Sequence, residues 1–208
     1  MIALLLTLTL LSVDSSFTAA TQTHYAQQDA ASLQHLLQKA DTRFENLLGR
    51  YRLYPLTEHD SLLHDLPKRL DDGSARELAL LSGLWGYRAA RASLFSAIQY
   101  GQRSQGLLDA AKEKDPNDPF VLLVEGQSLI FKPRIAGRDE AAALDRFERL
   151  CDVLQHATVD VGISMMEAEL WRWYALHRLK IDRAPTVRDE LLAAGPPPLY
   201  RQFLQDPP

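Results

Sequence analysis

Apolar residues recur along most of this chain at steps of three and four, the spacing of one face of an α-helix. Leu33, Leu36, Leu37, Ala40, Phe44, Leu47, Leu48 and Tyr51 trace one such stripe and predict an amphipathic helix of roughly 24 residues. Gln34, Gln38, Lys39, Asp41, Arg43 and Glu45 make its other, solvated face, and Pro55 is expected to end it. Thr57 then reads as the cap of a short helix carrying Leu62, Leu63 and Leu66, closed by Pro67 and by Asp71-Asp72-Gly73. Ser74 caps a further stripe running from Leu78 through Leu84 and Trp85 to Phe95; a turn is expected at residues 100–102, with a returning helix at 104–114. Gly83 and Gly86 sit in the middle of that stripe. Each costs about 1 kcal/mol against alanine in a helix, so the expected reason for them is the close approach of a neighbouring helix.

The clearest helix–turn–helix signal lies at residues 115–154. Pro116 and Pro119 stop one helix and start the next, Asp118 caps the new one, and Leu122, Gly126 and Leu129 share one stripe. Lys132-Pro-Arg-Ile-Ala-Gly-Arg forms the joint, and Ala142, Ala143, Phe147 and Leu150 pack back. A third pair is expected from Ile163 to His177 and from Thr186 to Ala193, followed by a tail that still carries Leu199, Phe203 and Leu204 and a mobile end at Asp206. No segment alternates apolar and polar positions with hairpin turn chemistry at its ends, so no strand is expected. The predicted fold is all-α: a superhelix of about three helical hairpins at residues 74–195, preceded by a helical segment at 21–73 and followed by a tail at 196–208.

Composition adds an address. Residues 2–13 are Leu, Ile, Ala, Thr, Val and Ser only, with small residues Thr18 and Ala20 following, which reads as a secretory signal peptide over residues 1–20. The positive leader charge of such peptides is missing, since the first basic residue is Lys39. A membrane anchor is the competing reading, but the run is shorter than the roughly 17 to 25 residues that cross the hydrocarbon. The expectation is a periplasmic or secreted protein with no stable membrane span after removal of the signal. At 208 residues and 46% hydrophobic the chain can bury one sizeable core, and a formal net charge of -4 gives no reason to expect a nucleic-acid partner. Cys151 is the only cysteine, which excludes an internal disulfide. It shares a stripe with Phe147, Leu150 and Leu154 and is expected to pack as a small apolar residue.

The segment from Pro119 to Leu150 resembles a tetratricopeptide repeat with a short insertion in its turn. Leu122, Gly126 and Leu129 stand at that family's large, small and large first-helix positions, and Ala143 and Phe147 at the small and aromatic positions of its second helix. Leu108, Ala111 and Pro116 keep the spacing of a repeat's closing half, with Ser104 where alanine is usual. The phrase from Asp115 to Ala141 is similar to a group of exported bacterial tetratricopeptide-like proteins, whose joint usually holds a glycine pair where this chain has Gly137 and Arg138. The resemblance implies binding or scaffolding, with no catalytic residues and no cofactor.

Neither nucleophile elbow, phosphate-binding glycine loop, paired metal cysteines nor a His-Glu-x-x-His helix occurs. His59 and His64, five residues apart, point about 140° apart around a helix and are not expected to share a metal. In a helical solenoid the concave side, lined by the first helix of each pair, is the surface on offer. The candidate binding residues are Arg88 and Arg91, Gln127, Trp171 and Arg172, with Arg134 and Arg138 in the joint. Trp85 and Trp173 are read as core. The expected function is a non-catalytic scaffold that binds a protein or peptide partner; the alternative is an accessory protein that holds a small ligand for a transporter. The scaffold expects an open groove, the accessory protein a closed and partly apolar pocket.

Overall fold

A computed structural model describes residues 16–208, so residues 2–13 lie outside it. Every regular element among the described residues is helical. They are α1 (residues 16–26), α2 (Ala30–Gln38), α3 (Arg43–Thr57), a 3-10 turn (Asp60–Leu63), α4 (Ala75–Ala90) and α5 (Leu94–Lys114). Then follow α6 (Pro119–Phe131), a 3-10 turn (Arg134–Ala136), α7 (Glu140–Gln155), α8 (Met165–Arg178), α9 (Ala184–Ala193) and α10 (Pro198–Gln205).

Local chemistry sets most of these starts. Thr42 and Ser74 each form a reciprocal capping box, with Glu45 and Glu77 three residues on. Asp118 accepts from the backbone N–H of Phe120 and Val121, with Pro119 at the first helical position where its missing N–H is harmless. Asp139 and Ser164 cap α7 and α8 in the same way.

The helices pair as hairpins: α4 runs along α5, α6 along α7, and α8 along α9, while α4 also lies beside α6 and α7 beside α8. Glu125 on α6 joins adjacent hairpins, its two oxygens taking Lys112 of α5 at 2.6 Å and Arg146 of α7 at 2.8 Å. Small residues set the spacing. A Cβ on Gly126 would lie 2.5 Å from the Phe147 ring, and one on Gly83 would lie 2.5 Å from the Tyr51 ring. Both rings therefore sit where only hydrogen can be tolerated. Gly86 is different, because its nearest neighbour would be the Ser104 hydroxyl at 3.6 Å, an ordinary contact. Ser104 donates to the Ser82 carbonyl at 2.8 Å while Ser82 donates to the Ser104 carbonyl at 2.8 Å. This pair laces α4 to α5 through polar groups that each satisfy the other.

Several boundaries differ from the sequence reading. The long amphipathic helix is two helices, α2 and α3, because the Thr42 capping box restarts the chain in a new direction. Glu45, assigned to the solvated face, is buried as the reciprocal half of that box. Pro55 does not end α3, which continues to Thr57; in the last turn a proline forfeits a single hydrogen bond, and Glu58 in the left-handed region closes the helix instead. Thr57 consequently ends a helix rather than capping one. The first hairpin turns at residues 91–93, not 100–102, so Tyr100 and Gly101 lie within α5 and Phe95 faces solvent. The tail is also better anchored than expected: residues 198–205 form α10, Tyr200 and Leu204 are buried, and the Tyr174 hydroxyl donates to the Pro208 carbonyl.

The N-terminal segment lies across the first helices of the hairpins. From α3, Phe44 meets Phe120 of α6 edge-on, Tyr51 packs over Gly83 of α4 and donates to Gln127 of α6, and Arg52 reaches Glu167 of α8. On α4 and α6 these contacts fall roughly 100° around the helix from the residues that face the partner helix of each hairpin, Ser82 and Gly126. This is the inner face of the stack. Helix α1 adds Phe17, Thr18, Thr21, Gln22 and Ala26 to the same continuous interior.

Candidate interaction surfaces

The centre of the inner face is a buried polar cluster. Arg52, 1% exposed, donates to both carboxylate oxygens of Glu167, to the Gly162 carbonyl at 3.0 Å and to Gln22 at 3.2 Å. Gln22 in turn donates to Tyr200 at 2.6 Å, and the Tyr25 ring lies 4.5 Å from the guanidinium. Burial opposes the Arg52 charge, but Glu167 and the surrounding phenolic oxygens outweigh it and hold the pKa above its ordinary value. Tyr25 is pushed up to about 12 by burial. The cluster draws its partners from four helices and one loop; the two terminal guanidinium nitrogens of Arg52 are bonded to protein, while its Nε is buried without a partner among the described residues.

The seven candidate residues separate into four places. Gln127 is the residue that faces the inner side, and Tyr51 occupies it. Arg88 lies over Trp85 and Tyr100 and donates to the Leu63 carbonyl at 3.2 Å, and Arg91 pairs with Glu58 at 2.9 Å and Asp60 at 3.3 Å. These two arginines hold the connector at residues 58–64 against the end of α4, beside an open cleft of about 300 Å³. Trp171 is half-buried among Phe131, Phe147, Tyr174 and Phe203, and Arg172 sits 3.7 Å from Glu169. Arg134 and Arg138 lie in the joint. The Arg138 guanidinium donates to the Lys132 carbonyl at 2.9 Å, whereas Arg134 extends into solvent. Trp85 and Trp173 are core residues, and Cys151 is buried with its thiol pushed up to about 11 by desolvation.

The joint projects outward. Ala136 and Gly137 return hydrogen bonds to Pro133 and Arg134, Gly137 takes a left-handed conformation, and Asp139 N–H donates to the Leu129 carbonyl. This short cage leaves Ile135 99% exposed. The end of the first hairpin is similar, with Leu94 75% and Phe95 83% exposed and Ile98 beside them. Because the connections are short and the helices alternate in direction, the turns at 91–93, 132–139 and 179–183 share one end of the stack. Of the seven large apolar residues exposed among the described residues, all but Val159 belong to these three tips: Leu94, Phe95 and Ile98, then Phe131 and Ile135, then Ile181. Lys132, Arg134 and Arg138 bring positive charge to the middle tip.

A second open cleft, of about 410 Å³, lies towards the opposite end between residues 68–71 and the second half of α5. Its cations were missed in the sequence because they come from a connector and a helix more than thirty residues apart, with no shared motif. Among the described residues no group of three or more His, Cys, Asp or Glu side chains is arranged to hold a metal, and no helix is long and apolar enough to cross a membrane. Comparison of the chain with protein-family models, with curated proteins and with solved structures finds no match. What the fold defines is its class: an all-α stack of helical hairpins.

Proposed function

We propose that this chain is a non-catalytic scaffold, exported to the periplasm, that engages a protein partner through the edge formed by its hairpin tips. The observation that carries this reading is the division of the apolar surface. The inner face, which an isolated repeat stack would offer, is covered by α1 and α3, whereas Leu94, Phe95 and Ile135 are held out in water on short, hydrogen-bonded turns. Exposed apolar residues gathered along one edge mark interaction sites in soluble proteins. The tetratricopeptide resemblance supports the scaffold reading through the Gly126–Phe147 contact, which uses a small residue to seat an aromatic ring of the second helix. Both clefts open to solvent, which favours a surface-binding scaffold over a protein that encloses a small ligand.

Site-specific photocrosslinking tests the assignment. A crosslinking residue introduced at Ile135 or Phe95 in the native compartment is expected to give a discrete adduct, lost when Ile135→Asp is combined with the Phe95 probe. Adducts arising from a probe at Gln127 would return the site to the inner face. N-terminal sequencing of the native protein checks export, and retention of Met1 would overturn it.

A further inference from the structure

We propose that the 410 Å³ cleft beside α5 binds an extended acidic peptide segment, with acidic side chains at both ends and an apolar one between them. The cleft is positioned by three donors that catch the carbonyls of the preceding connector. Trp85 Nε1–H reaches the Pro67 carbonyl at 2.9 Å, Arg50 the Leu62 carbonyl at 2.7 Å, and Arg88 that of Leu63. Lys68, Arg69 and Asp71 thereby belong to one wall, and Arg103 and Lys114 of α5 line the other, which sets four cations against one acid. Among the described residues, Lys68, Arg103 and Lys114 have no acidic partner within 4 Å, and Arg69 has only a fully solvated contact to Asp71 at 3.7 Å. The Arg103 guanidinium rests 4.4 Å from the Trp85 ring, a contact that fixes its position and leaves its N–H groups free to donate. A gathering of unpaired cations on a chain of net charge -4 is a local field that attracts anions.

The floor and the length choose the kind of anion. Leu78 and Leu107 are buried beneath the cleft, and Gly106 supplies no side chain where one would fill it. Inorganic anions gain nothing from such a floor. Arg103 and Lys114 are eleven residues apart on one helix, which at 1.5 Å per residue separates them by about 16 Å. An extended chain rising about 3.3 Å per residue sets its first and fifth side chains about 13 Å apart, and the long flexible arms of Arg103 and Lys114 close the remainder. Its first, third and fifth side chains share one face, so two acids can reach the terminal cations while the middle side chain rests on Leu107. The site lies towards the end of the stack opposite the hairpin tips and is independent of the docking edge proposed above.

The probe is a fluorescein-labelled peptide, Asp-Ala-Leu-Ala-Asp, with Asn-Ala-Leu-Ala-Asn as control, followed by fluorescence anisotropy on the full chain. Binding is expected for the aspartate peptide, at least fivefold weaker for the asparagine peptide, and weaker by roughly fivefold with Lys114→Gln, the loss of one exposed charge contact. Gly106→Leu should abolish binding while the thermal midpoint stays level or rises, since a Cβ there meets nothing within 4 Å. Three results would overturn the proposal: equal binding of the two peptides, displacement by millimolar inorganic phosphate at constant ionic strength, or full binding by Gly106→Leu. Capture by phosphatidylglycerol vesicles without capture of the peptide would overturn it in favour of a lipid surface.

Discussion

Arg52 and Glu167 are separated by 115 residues in sequence, yet they form a two-pronged ion pair that is closed off from water. The pair joins α3 to α8, and Gln22 and Tyr200 extend it to α1 and α10. A buried pair of this kind repays little of its own desolvation, but breaking it strands a charge. Glu167→Gln is therefore expected to lower stability by about 3–5 kcal/mol. The double substitution Arg52→Met with Glu167→Leu should recover most of that loss. Urea denaturation of the three proteins measures both, and a double variant no better than Glu167→Gln would assign the loss to packing instead.

Glycine positions separate by what their missing Cβ would strike. Gly126→Ala and Gly83→Ala must displace the Phe147 and Tyr51 rings and are each expected to cost about 1–3 kcal/mol, the usual penalty of overpacking. Gly86→Ala meets only ordinary contact and should be neutral or stabilising by up to about 1 kcal/mol through helix propensity. Thermal midpoints of the three variants give the comparison directly.

Phe17 and Thr18 are core residues, with Thr18 against Gly162. Phe17→Ala is expected to cost about 3 kcal/mol. A chain beginning at Thr21 loses both side chains and should be destabilised by at least as much, whereas one beginning at Ser16 keeps them. Comparing the denaturation midpoints of these two recombinant chains shows how much structure a cut after Ala20 removes.

The Cys151 thiol should be inert in the folded protein, modified by iodoacetamide at pH 8 only after denaturant is added. Burial raises its pKa to about 11, so the fold keeps the proton to higher pH than the unfolded chain does. Its contribution to stability is complete below about pH 8.5, where an unfolded thiol begins to ionise, and is lost as the pH rises through about 11. The stability difference between the natural protein and Cys151→Ala should shrink over that interval. A difference independent of pH would show that the thiol is not ionising in the unfolded chain alone.

Helical content and the second hairpin were legible in the chain itself. Asp118-Pro119, the Leu122–Gly126–Leu129 stripe and the Pro133–Gly137 joint are local signals that act within a few residues, and α6 and α7 begin and end where those signals place them. The Thr42–Glu45 box was equally local but was hidden by a stripe of apolar residues that runs through it without a break, as α2 and α3 happen to bury the same side of their stripes. At residues 91–93 no glycine or proline marks the turn, and the exposed Leu94 and Phe95 continue the helical pattern across it. Among the candidate residues, the arginines were visible as residues but not as partners: Arg91 is committed to Glu58 and Asp60, and Arg134 is exposed with no ion pair among the described residues.

Periodicity and capping depend on neighbours in sequence, so the chain by itself determined that it would be helical and where most helices start; that Gly83 needs room and Gly86 does not was decided by packing. What covers the inner face was decided only in three dimensions. Occupation of that face by Tyr51 and Arg52, exposure of Ile135 and Phe95 along one edge, and convergence of Lys68, Arg69, Arg103 and Lys114 on one cleft all follow from how finished helices pack. Contacts between helices distant in sequence are set by shape and by the pairing of buried charge, and a repeating apolar stripe specifies neither.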